Sequence, residues 1–154
     1  MTKLLLSLHV LAAILAIGPI TVAASVFPRY ARQSAGDGAQ GPDGVTAAFL
    51  HKICRGYAVV GIAVPVLGVA TGSRMGVLTD AWLLTSIALT AAAGALLLTV
   101  VLPGQARLLD QPGDAIPELR PAAVRLSMTT GIFNLLWATV VVLMIVRPGS
   151  TTGV

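Results

Sequence analysis

AWLLTSIALTAAAGALLLTVVLPGQA, residues 81–106, is an unbroken run of 26 uncharged residues between Asp80 and Arg107. About 20 helical residues cross the ~30 Å hydrocarbon core of a bilayer, so a run of this length reads as a membrane span. Two others match it: residues 4–28 between Lys3 and Arg29, and residues 126–146 between Arg125 and Arg147. A shorter run at 56–73 gains length if Lys52 and Arg55 snorkel toward the membrane surface. The spacing predicts transmembrane helices at 4–27, 53–72, 81–103 and 126–146. The expected fold class is all-α, a four-helix transmembrane bundle forming a single integral membrane domain over 1–154.

Composition agrees. The 154 residues are 56% hydrophobic and 10% charged, with mean hydropathy +0.89, far from the balance of a soluble domain. Four spans leave only short loops and tails, so any chemistry belongs inside the bundle or at its rims. The net charge of +4 does not point to nucleic acid, because the ten basic residues are scattered around apolar runs without stacking aromatics. The single Cys54 excludes a thiol–disulfide relay, which needs a redox pair.

Basic residues in short loops mark the cytoplasmic side. Arg29, Arg32, Lys52, Arg55, Arg107, Arg120 and Arg125 fall on one side, and Lys3, Arg74 and Arg147 on the other. Both termini are therefore expected on the extracytoplasmic side. A cleaved signal peptide is the competing reading of the first run, with Lys3 before it and Ala23-Ala24-Ser25 supplying small residues. Against it, about 20 apolar residues exceed the usual ~7–15 of a signal core. Gly36, Gly38, Gly41, Pro42 and Gly44 predict a flexible loop at 31–45. Pro103, Pro112, Pro117 and Pro121 predict a stiffer, non-helical third loop. Tyr30, Tyr57 and Trp82 fall at the membrane interfaces, and Asp80 reads as the amino-terminal cap of the third helix.

Lipid gives helices no hydrophobic reason to associate, so contact faces are sought among small residues. Ala81, Thr85, Ala88, Ala92, Ala95 and Thr99 form such a seam on the third helix. On the second, Gly61, Gly68 and Gly72 offer close approach, and Pro65 is expected to kink the helix and free the carbonyl of Gly61. Gly18, Gly61, Gly94 and Asn134 share a layer near the midplane, which implies close packing or a small polar cavity. Asn134 reads as a packing residue bonded between helices, or as a substrate contact.

All six acids, Asp37, Asp43, Asp80, Asp110, Asp114 and Glu118, lie outside the spans. That argues against proton-coupled transport of the small multidrug antiporter type, which keeps a carboxylate in its first helix. Nor do the residues offer a nucleophile with its base, or clustered carboxylates for a metal. His9 remains, at a depth comparable to Thr85 and Ser86. One reading bonds its imidazole to either hydroxyl as intramembrane packing. Another makes it a ligand to haem b or copper, with Met144 or Met75 toward the same face. A third gives it a proton-handling role. His51, beside Lys52 and Arg55, reads as interfacial. The two histidines lie near opposite membrane faces, about 20 Å or more apart, and cannot clamp one haem.

Leu8-His9-x3-Ala13, Gly18-Pro19, Phe27-Pro28-Arg29-Tyr30 and Leu143-Met144-Ile145-Val146-Arg147-Pro148 resemble an uncharacterised family of small bacterial integral membrane proteins. The resemblance spans all four helices and implies a multi-pass protein of the bacterial inner membrane, with no activity to carry over. The first-helix histidine, the later glycine and the exit arginine are more loosely similar to CopD-like proteins and HemJ-type protoporphyrinogen oxidases. In the latter a first-helix histidine implicated in haem binding corresponds to His9, although His9 to Arg29 is about one helical turn longer here. The leading expectation is a non-enzymatic membrane module or accessory subunit, in contact with the lipid bilayer and with a second copy or another membrane protein. Its rival is a haem- or copper-associated redox protein using His9.

Topology has a direct test. In a Cys54→Ser background, Ser73→Cys is expected to react with an impermeant maleimide only from outside the cell and Ser34→Cys only from the cytoplasm. Labelling of position 73 from the cytoplasm alone reverses the orientation.

Overall fold

The computed structural model describes residues 2–37, 41–110 and 116–149. Its elements are α1 (Thr2–Asp37), α2 (Pro42–Gly61), α3 (Ala63–Met75), α4 (Ala81–Leu96), a π-helical turn at Leu97–Val101, α5 (Leu102–Leu109) and α6 (Ile116–Val146). There is no strand among the described residues. Four helical stretches are long and apolar enough to cross a membrane: Thr2–Ser34, Pro42–Met75, Ala81–Leu109 and Arg120–Val146. The protein is thus an all-α, four-span membrane protein. The second span joins α2 to α3, and the third joins α4, the π turn and α5.

Both interruptions lie just before a proline. Pro65 has no N–H to give the carbonyl of Gly61, and the chain leaves the helical pattern at Ile62, whose N–H reaches Val59 at 3.2 Å. Pro103 likewise has no N–H for the carbonyl of Thr99. The preceding turn widens, and the N–H of Leu102 bonds the carbonyl of Leu97. Pro19, Pro28 and Pro121 are accommodated inside α1 and α6.

Helix also extends where loops are expected. α1 continues through Ala31 to Asp37 and α2 begins at Pro42, so the expected loop at 31–45 is largely helical; residues 38–40 lie outside the described residues. A 36-residue helix is ~54 Å long at 1.5 Å per residue, so it extends well beyond the hydrocarbon. The prolines of the third loop are absorbed in the same way. Pro103 lies at the start of α5, directly after the π turn, and Pro117 lies in the first turn of α6, where a missing N–H costs no helical bond. Pro112 lies outside the described residues.

α1 is the centre of the bundle, touching α2, α3 and α6. Ala16, Ile20, Ala24 and Phe27 are fully buried, and Ala23 and Ala31 nearly so. A third of the most apolar window of the first span is buried in the chain, against 17% for the second and fourth. The remaining apolar surface faces outward, to lipid or to another protein.

The buried face of the third span is not the expected one. Trp82, Leu83, Ser86, Ala93, Leu97 and Val101 are buried, while Ala81, Thr85, Ala88, Ala92, Ala95 and Thr99 are all exposed. The expected seam is an outer stripe, and the buried face combines Trp82, Leu83, Leu97 and Val101 with Ser86 and Ala93. The midplane glycines also differ from expectation, since a Cβ on Gly18, Gly61 or Gly94 would meet nothing within 4 Å. They are not points of tight packing. Close approach occurs instead at Gly68 and Gly72, where a Cβ would come within 3.0 Å of His9 and 2.8 Å of Leu83. The second span ends at Gly76, whose φ of 71° gives the left-handed cap that a glycine adopts without strain.

Candidate functional site

Three polar contacts join different pairs of spans. Near the amino-terminal end, His9 Nδ1 lies 3.0 Å from the carbonyl oxygen of Val64. A carbonyl only accepts, so Nδ1 is the donor, and in the tautomer protonated there Nε2 is the nitrogen with the lone pair. Val64 and Gly68 are one helical turn apart on one face of α3. Gly68 leaves the space the imidazole fills: a Cβ there would stand 3.0 Å from Cε1 and 3.4 Å from Nδ1. The close-approach glycine of the second span is thus a seat for a side chain from the first.

Neither hydroxyl expected to hold His9 does so. Thr85 donates to the carbonyl of Ala81 at 2.7 Å and Ser86 to that of Trp82 at 2.8 Å, each within its own helix. The reason is placement: α1 faces α2 and α3, while α4 packs mainly on α6. Met144 is half-buried on α6 and its carbonyl accepts from Arg147 Nε at 3.3 Å. No three His, Cys, Asp or Glu side chains among the described residues are grouped to hold a metal. The nitrogen available to a cofactor on α1 is His9 Nε2 alone.

At the opposite, arginine-rich end lies a second contact. His51 Nδ1 is 3.0 Å from Gln105 Oε1, and Gln105 Nε2 donates to Cys54 Sγ at 3.6 Å. Gln105 and Cys54 are fully buried. His51 is therefore not simply interfacial, since its ring nitrogen reaches across to the third span. By the same acceptor argument its Nδ1 carries the proton. Gln105, not His51, touches the thiol, so the group is not a nucleophile with its base. Sequence reading passes over Gln105, because it stands two positions before Arg107 and resembles a rim residue. The signal was there: it is the sole amide in its apolar run, the same feature that draws attention to Asn134.

The third contact is that of Asn134, whose Nδ2 donates to Ser25 Oγ at 3.0 Å. Its Oδ1 and the hydroxyl of Thr130, one turn away, are buried without a partner. Thr71, Thr90 and Thr129 each bond the carbonyl four residues back; Thr130 does not. Asp80 occupies the cap position of α4, but its carboxylate makes no cap bond. It accepts from the indole N–H of Trp82 at 3.0 Å, and the guanidinium of Arg147 lies 5.5 Å from the centre of that ring.

These contacts predict unequal costs. Gln105→Leu leaves His51 without its acceptor and Cys54 without its donor, and should lower stability in mild detergent by about 1–3 kcal/mol. Thr85→Val removes only a local bond on an exposed face and should cost under about 0.5 kcal/mol. Thermal unfolding of the two variants checks the difference; equal losses would remove the importance given to the Gln105 contacts.

No curated protein and no solved structure matches the chain. One family model does, described as a predicted integral membrane protein (DUF2269), and it matches residues 3–148. With all four spans inside that match, the chain belongs to the DUF2269 family of predicted integral membrane proteins.

Proposed function

We propose that the chain is a non-enzymatic membrane module of the bacterial inner membrane that acts by associating with a second copy or another membrane protein. The observation that carries this reading is the exposed stripe of Ala81, Thr85, Ala88, Ala92, Ala95 and Thr99. Small residues let backbones approach closely, and such approach drives helix association in lipid. The hydroxyls of Thr85 and Thr99 bond their own helix at 2.7 Å, so the stripe presents a smooth surface with its polar groups satisfied. Inside the chain this surface is unused. Ala88→Leu with Ala92→Leu should weaken association in liposomes several-fold by energy transfer between labelled chains or with a co-purified partner. Val59→Leu, on an equally lipid-facing part of the second span, is the control. Undiminished association in the stripe variant refutes the reading.

A haem- or copper-binding role for His9 has one observation in its favour. Nδ1 is tied to a backbone carbonyl and Nε2 is free, the arrangement that orients imidazole ligands in metal sites. On this reading the purified native protein shows a Soret band or bound copper, His9→Gln abolishes it, and His51→Gln leaves it intact. Unchanged cofactor content in His9→Gln rules His9 out as the essential ligand.

A further inference from the structure

At the arginine-rich end, residues of the third and fourth spans face one another across a groove. Gly104 and Leu126 both line it and approach closely, since a Cβ on Gly104 would stand 3.1 Å from Leu126 Cδ1. The groove has a volume of about 450 Å³. Val100, Pro103, Ala122 and Leu126 give it apolar surface, and Thr99 and Thr129, whose hydroxyls bond carbonyls of their own helices, line it too. Arg107 from α5 and Arg125 from α6 line the same groove, and both are exposed. The widened turn at Leu97–Val101 and the proline that follows it shape one wall, and Pro121 contributes to the other. Arg120 is exposed on the same helix, and Asp110, exposed at the end of α5, is a described acid at this end of the third span.

We propose that this groove is a docking site for a diacyl phospholipid of net negative charge. Its phosphate sits between Arg107 and Arg125, and part of an acyl chain lies along Val100, Pro103, Ala122 and Leu126. Charge complementarity selects the occupant. Two guanidiniums from facing helices suit a phosphate at headgroup level, and basic pockets between transmembrane helices bind anionic headgroups. Val100, Pro103, Ala122 and Leu126 offer an acyl chain apolar surface in the same groove, which a free anion does not use. The groove meets the stripe of the third span only at Thr99, which none of the variants below changes, so its test is separate from that of the functional reading above.

Native mass spectrometry of the full chain, released from nanodiscs of mixed phosphatidylglycerol and phosphatidylcholine, tests it. The unmodified chain should retain phosphatidylglycerol at least fivefold over its share of the bilayer. Arg107→Gln and Arg125→Gln should each cut that enrichment severalfold, and Arg29→Gln with Arg32→Gln, at the same end of the first span, should leave it unchanged. Ala122→Phe keeps both arginines but fills the groove, and should also abolish enrichment. Helical content by circular dichroism identifies any variant that misfolds, and the remaining variants then decide. Equal retention of the two lipids overturns the proposal, as does loss in the Arg29/Arg32 control equal to that in the groove variants. Displacement of the lipid by millimolar inorganic phosphate also overturns it, because the site would then be an anion site without a lipid component.

Discussion

Hydrocarbon offers no partner to a backbone N–H or C=O, and nearly every local feature of this bundle follows from that constraint. It keeps each span helical over nearly all its length and makes two of the prolines structural events. Pro65 and Pro103 remove donors within a span, and the chain answers with a break at Ile62 and a π turn at Leu97–Val101. The hydroxyls of Thr71, Ser86, Thr90 and Thr99 fold back onto their own helices for the same reason. His9 is the contrasting case: it satisfies its N–H on the carbonyl of Val64, next to Pro65, in another span.

The same constraint explains which parts of the architecture are legible in the sequence. A span is written as a length of uncharged residues, and the four runs bounded by Lys3, Arg29, Arg55, Arg74, Asp80, Arg107, Arg125 and Arg147 match four helices. Helix ends are written less clearly, because proline in a first turn and glycine beyond the membrane are both tolerated by a helix that has already started. That is why α1 runs through Gly36 and α6 starts before Pro117. Which face turns inward is scarcely written at all. Both faces of a span are apolar, so the choice between Ala88 and Leu83 is made by the shape of the neighbours and not by hydropathy.

Polar partners are less legible still, since a side chain's reach depends on which spans are neighbours. His9 stands out as an intramembrane imidazole, but its depth matches Thr85 and Ser86 as well as α3, and only the packing of α1 against α3 selects Val64. Asp80 is recognisable as a cap position, yet Trp82 two residues later supplies an indole donor that takes the carboxylate. Gln105 and Ser25 acquire meaning only through His51, Cys54 and Asn134, which approach them from other spans.

Taken together, these contacts form a register system. His9 to Val64 ties the first span to the second, His51 to Gln105 ties the second to the third, and Ser25 to Asn134 ties the first to the fourth. Each such bond adds only about 0.6 kcal/mol on average, too little to hold a bundle together. Its effect lies in discreteness: sliding one helix by a single residue moves a side chain ~1.5 Å, enough to break a 3.0 Å contact, whereas apolar surfaces slide with little change. Four spans fixed in this way by contacts internal to the chain need no partner to set their register. The small-residue stripe of the third span is then free to face outward, carrying no task in the fold that an external helix would disturb.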